Sequence, residues 1–270
     1  MKLQVVSAGH YLHTLREGEP LPDLTSTLKQ VCSERPRRVD RFIELALLGS
    51  GLCARGRQLK PGCGIYLGSG FGPMGSNAAV QEQLLRDQEC PKPFDFMNIL
   101  GASAGFHVVK NLKLAGQNLF ISRRGASLEA ALAVVQADMQ LGIVSQALLG
   151  VVEEATLPLD QHRQRQGLLP DTPVAEGSHW LLLEKYADGG KSLCSMKFKD
   201  RTGLDVYLHA HQAPSVRMQS AEDWGMSGDG IHDNPQAALL TGFLAADEKG
   251  TLLLVGRGAG EGYTLLHLGP

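Results

Sequence analysis

The run from Arg37 to Gly56, RRVDRFIELALLGSGLCARG, sets apolar residues at helical spacing and closes on a glycine, the pattern of an amphipathic helix with a glycine stop. The next stretch, GCGIYLGSGFGPMGSNAAV, predicts a short strand, a glycine-rich turn and the start of a helix. In FDFMNILGASAGFHVVKNLKLAGQ the small residues Gly101, Ala102, Ser103, Ala104 and Gly105 predict a helix that packs very closely on a neighbour. NLFISRRGASLEAAL, Asn118 to Leu132, reads as a strand, a tight turn and a helix start. SLEAALAVVQADMQLG continues that helix to Gly142, and SQALLGVVEE is a buried strand ending on the carboxylates Glu153 and Glu154. The alternation predicts an α/β sandwich with a largely parallel sheet.

Residues 155 to 175 are polar and contain proline, which predicts a surface excursion. EGSHWLLLEKY then predicts a strand buried over Trp180 to Leu183. CSMKFK and DVYLHAH read as strands, EDWGMSGDGIHDNPQ as a polar glycine-rich piece, followed by a helix. The pattern of GTLLLVGRGAGEGYTLLHL is a β-hairpin with Gly256, Gly258 and Gly260 in its turn.

Of the 270 residues, 43% are hydrophobic and 20% charged, which describes a globular chain rather than a disordered one. With 26 basic and 28 acidic residues the net charge of -2 supplies no bulk field for nucleic acid or an anionic membrane. Apolar runs such as ALLGVV are too short to cross a bilayer, so no membrane span is expected. Cys32, Cys53, Cys63, Cys90 and Cys194 are odd in number and form no C-x-x-C pair, and no signal-peptide pattern precedes them; a reduced, cytoplasmic setting is the expectation.

Candidate chemistry is sparse. Gly70, Gly72 and Gly75 satisfy G-x-G-x-x-G after a predicted strand, the pattern that cradles pyrophosphate, but Pro73 removes one of its backbone donors. An ordinary strand-helix connection is the other reading, and no cofactor is expected. His209 and His211 share one face of the predicted strand, and with His232 and Asp229 they pose a metal site against unpaired surface histidines; the spacing supplies no further ligand. Ser122, Ser127, Cys53 and Cys63 are the available nucleophiles of a self-sufficient acyltransferase or thioester hydrolase, yet none has a histidine at recognisable spacing.

The order of pieces carries a resemblance. RRVDRFIELAL, GIYLGSGFGPMGS, NILGASAGFHVVKNLKLAGQNLFIS, GASLEAA, ALLGVVEE and EGSHWLLLE resemble the N-terminal half of the β-ketoacyl synthases of the thiolase fold, over residues 37 to 186. LLLVGRGAGEGYTLLHL is similar to the glycine-rich hairpin that ends those enzymes. The resemblance implies a thiolase-like layered α/β/α fold, with residues 1–186 as the N-terminal half and 187–270 as a shortened C-terminal half. WGMSGDGIHDN also resembles a segment of that half, although the strand expected just before it is not evident.

Matched to the family, ISRRGAS puts Gly125 at the position of the reactive cysteine, and glycine has no atom with which to attack a thioester. Neither family histidine has a matching context, His209 and His211 being the nearest candidates. The resemblance therefore implies no catalysis by this chain and a chain length factor, short like those of aryl polyene type pathways. Its partner would be an active ketosynthase, in a heterodimer or failing that a homodimer, and acyl carrier protein would be met indirectly. Phe94, Phe96 and Met97 in KPFDFMN are candidates to reach the partner's acyl tunnel, or else core residues at a helix start. Arg123 and Arg124 at the elbow are expected to plug the old cavity, pair with Glu153 or Glu154, or stay solvated.

Overall fold

The chain folds as β1 (Leu3–Leu15), α1 (Thr25–Val31), α2 (Arg41–Ala54), β2 (Gly64–Gly68), α3 (Met74–Leu85), α4 (Pro93–Asn98), α5 (Gly101–Leu112), β3 (Asn118–Ile121), α6 (Ser127–Leu141), β4 (Gln146–Glu153), α7 (Leu159–Gln166) and β5 (Val174–Lys185). There follow β6 (Ser192–Phe198), α8 (Arg201–Ala210), β7 (Val216–Ser220), α9 (Pro235–Ala245), β8 (Thr251–Arg257) and β9 (Tyr263–Gly269). The structure is a computed structural model that describes residues 1–33, 37–187, 189–211, 216–220, 234–257 and 262–270.

All these strands join one sheet in the order β3-β2-β4-β5-β1-β6-β9-β8-β7. From β1 outward the pairings to β5 and β4 are antiparallel and those to β2 and β3 parallel. From β6 outward the pairings to β9 and β8 are again antiparallel and that to β7 parallel. The second half thus repeats the first without its outermost strand. The halves meet where β1 pairs with β6 at Leu3 and Gln4. Helices repeat as well: α2 and α8 follow the first strand of each half, and α6 and α9 precede the strands β4 and β8.

Strand alternation sends Leu149, Val151, Leu181 and Leu183 toward a core shared with α6 and α9, while Leu148, Val152, Trp180 and Leu182 face a second core formed with α2 and α5. Every residue of β4 is buried, as expected of a strand covered on both faces. α2 is buried along most of its length rather than along one stripe. Asp40 caps its N-terminus by accepting from Ile43 N at 2.9 Å.

Several expectations are corrected. The sheet is mixed, because β5 returns beside β4, β1 inserts next to it, and β9 doubles back on β8, giving five antiparallel pairings to three parallel. DVYLHAH lies in α8, not in a strand: Asp200 caps Gly203 N at 2.9 Å, and Leu204 and Leu208, one helical turn apart, face the sheet. Residues 155 to 175 hold α7, with Leu159, His162 and Arg163 buried. The strand missed before WGMSGDGIHDN is β7. Among the described residues no helix is long and apolar enough to cross a membrane.

Candidate functional site

β2, β3 and β4 run parallel, so their C-terminal ends share one edge of the sheet, the side on which open α/β sheets hold ligands. There β3 passes through Ser122 and Arg123 into a 3-10 turn at Arg124–Ala126 and then into α6. The left-handed backbone of this elbow falls at Arg124, φ 51°, whereas Gly125 is not among the left-handed glycines. Ser122, Arg123, Arg124 and Gly125 are all exposed.

Beneath the turn lies a buried polar network. Ser127 Oγ shares its one proton between Arg124 O at 2.7 Å and Ser69 O at 3.0 Å, and it accepts from Arg123 N. Asn234, just before α9, accepts from Ser127 N and Leu128 N, capping α6 from the other half of the chain. Its amide donates to Arg124 O at 3.1 Å and to Glu153 Oε1 at 2.6 Å. Glu153, only 3% exposed, also accepts from Ser69 Oγ and Gly70 N. Four segments remote in sequence are thereby tied together.

That network also answers the glycine fingerprint. Gly70 N is held by Glu153, Gly72 N by Ser69 Oγ at 2.8 Å, and Gly75 N by Glu154 Oε1 at 2.5 Å. The donors a pyrophosphate would need are consumed by the protein's own groups. GSGFGPMG is an ordinary strand-helix connection.

The alternative nucleophiles are poorly placed. Ser127 is fully buried with its hydroxyl engaged, and Ser122 donates to Gly70 O at 3.2 Å. Burial pushes the Cys53 thiol up to about 11 and the Cys63 thiol up to about 12, so neither is a thiolate near neutral pH. His209 lies exposed on α8, and His211 stacks on Tyr207, whose hydroxyl meets His267 Nδ1 at 2.7 Å. Among the described residues no group of metal-ligating side chains could hold an ion; Asp229 and His232 lie outside them.

Phe94, Phe96 and Met97 sit on α4, which has no buried residue, and are 45%, 55% and 51% exposed. The reading of them as core residues is therefore wrong for this chain. Leu100, Phe106 and Leu119 on the following elements are exposed too. α5 packs on β3 through its glycines: a Cβ at Gly101 would lie 2.5 Å from the Phe120 ring, and one at Gly105 would strike the Asn118 amide. Beyond β3 the sheet has no further strand among the described residues. Arg124 lays its guanidinium 3.6 Å from the centroid of Phe71, and Arg123 is exposed.

The buried network left no spacing signal, since Ser69, Ser127, Glu153 and Asn234 are scattered along the chain. The one local signal for it is Asn234 directly before Pro235, a helix-start pattern.

No protein-family model matches this chain, and no curated protein matches it in sequence. Solved structures do match its fold. A ketosynthase/chain length factor of ishigamide shares 15% identity over 99% of each chain with a TM-score of 0.72. The ketosynthase ApeO in complex with its chain length factor ApeC from Xenorhabdus doucetiae gives 15% identity over 98% of this chain and 99% of that one, TM-score 0.63. The AntDE:AntF assembly, a type II PKS acyl-carrier protein in complex with its ketosynthase, gives 13% identity over 99% of each chain, TM-score 0.70. The chain has the fold of the ketosynthase/chain length factor structures.

Proposed function

We propose that this chain is a non-catalytic ketosynthase-like subunit, a chain length factor, that pairs with an active β-ketoacyl-[acyl carrier protein] synthase in type II fatty acid or polyketide biosynthesis, of the aryl polyene type. The observation that carries the reading is an exposed elbow without a nucleophile, beside an apolar face on α4 and α5 and an edge strand β3 that has no outer neighbour among the described residues. A partner of the same fold would cover that face and supply the thiolate. Solved structures of like fold include ketosynthase/chain length factor assemblies, which supports the reading. Acyl carrier protein would deliver chains to the partner, and this chain would set their length by shape.

Co-expression with a ketosynthase encoded nearby is expected to yield a heterodimer by mass in solution. A stable monomer indifferent to that partner overturns the proposal. Incubated alone with acyl-loaded carrier protein, the chain is expected to show no acyl adduct by intact mass; an adduct on any residue would favour an acyltransferase. Phe96→Ala and Met97→Ala, at half-exposed positions, should each change the stability of the isolated chain by less than about 1 kcal/mol. In the heterodimer they should lengthen the released product, and an unchanged product profile removes them from the tunnel.

A further inference from the structure

We propose that Arg124, rather than Gly125, stands at the nucleophile position of the elbow, and that its guanidinium, seated on Phe71, closes the place where an active subunit would hold an acyl thioester. The first half of this rests on backbone geometry alone; the second rests on the subunit reading above.

In a strand-turn-helix elbow the presented side chain belongs to the residue forced into a disfavoured backbone region. That residue is Arg124 at φ 51°; Arg123 before it lies at φ -140°, Gly125 after it is not left-handed, and Ala126 beyond lies at φ -112°. Glycine would relieve the strain, yet the chain places its glycine one residue later. The conformation is imposed from outside the turn: the Arg124 carbonyl is clamped by Ser127 Oγ at 2.7 Å and Asn234 Nδ2 at 3.1 Å. Asn234 is braced in turn by Glu153. The same carboxylate holds Gly70 N, immediately before Phe71, so one buried group fixes both the elbow and the approach to the ring that receives the guanidinium. A frame of this kind serves to hold an apex side chain in one place. Here it holds a cation that cannot attack a carbonyl, placed over an aromatic face.

Two measurements test the assignment without a partner ketosynthase. Arg124→Gly and Arg124→Ala both remove the guanidinium, but only glycine relieves a left-handed backbone. Arg124→Gly is expected to melt about 2–4 °C above Arg124→Ala; equal melting, or the reverse order, overturns the apex assignment. In the second, thiols are installed by Arg124→Cys and by Gly125→Cys in a background with Cys90→Ser and exposed to octanoyl-coenzyme A. In that reaction the thiolate attacks the thioester carbonyl, the bond from carbonyl carbon to the coenzyme A sulfur breaks, and coenzyme A departs as its thiol with the proton. Adducts are located by peptide mass. Arg124→Cys should be acylated at least tenfold faster than Gly125→Cys; equal rates, no acylation of either, or the opposite order overturn the proposed closure. Should Arg124→Cys behave as expected while no ketosynthase binds the chain, the apex assignment stands and the subunit reading falls.

Discussion

Arg41→Ala is expected to destabilise the chain by about 3–5 kcal/mol in urea unfolding, the largest loss from any single side chain outside the apolar cores. Arg41 opens α2 and forms a bidentate pair with Glu176 of β5: Nε donates to Oε2 at 3.0 Å and Nη2 to Oε1. Nη1 donates to Pro22 O at 2.8 Å, and Tyr11 of β1 adds its hydroxyl to Oε1 at 3.0 Å. The Glu176 side chain has no exposure at all. Removing the guanidinium leaves a buried carboxylate with one neutral donor, and that stranded charge is the source of the penalty, more than the lost attraction. The double variant Arg41→Met, Glu176→Met leaves no such charge and should lose far less than Arg41→Ala. If the two variants unfold at the same urea concentration, the pair is not what joins α2 to β5.

The legible parts of this molecule are those where glycine punctuates an apolar pattern. Gly142 ends α6 in a left-handed cap, and the run from Asn118 to Glu153 folds as its spacing predicts. Local pattern failed where partners are remote. β1 is illegible in the pattern because LQVVSAGHYLHTL interleaves glycine, serine and histidine with its apolar residues, although it lies at the centre of the sheet. Gly9 is there to let α2 approach, since a Cβ on it would fall 2.7 Å from Cys53 N. In α8 the alternation of Val206, Leu208 and Ala210 imitated a strand, while the deciding signals were the Asp200 cap and the Leu204 to Leu208 spacing. At the elbow, the sequence locates a turn without a nucleophile. Which residue takes the strained conformation depends on Ser127 and Asn234, and Asn234 is 110 residues away from Arg124.

Stability should fall as pH rises from about 6.5 to 9, and Glu154→Gln should flatten much of that slope. Glu154 directly follows β4 and is 4% exposed; burial pushes its carboxyl from 4.5 up to about 8, against the opposing pull of Gly75 N. Glu129 on α6 is pushed by burial up to about 7, and its Oε2 has no hydrogen-bond partner among the described residues. In the unfolded chain both ionise near the ordinary value, so between roughly pH 4.5 and 8 the folded state holds protons that the unfolded state has released. Folding stability from these two groups is complete below that window and is lost as pH climbs through the folded values. Three histidines act in the opposite sense: burial lowers His162 to about 4, and partial burial lowers His10 and His267, so their contribution is lost as pH falls below about 6.5. The two trends overlap at acid pH and separate above 6.5, where the histidines no longer contribute; the raised Cys53 and Cys63 thiols add to the fall only toward pH 9. Glutamine at 154 keeps an acceptor for Gly75 N without a charge to bury, so at pH 9 the variant should be more stable than the parent by on the order of 2–4 kcal/mol, with little difference near pH 5. Equal stabilities at both pH values would mean that Glu154 ionises without cost where it stands, with the N-terminus of α3 compensating its burial.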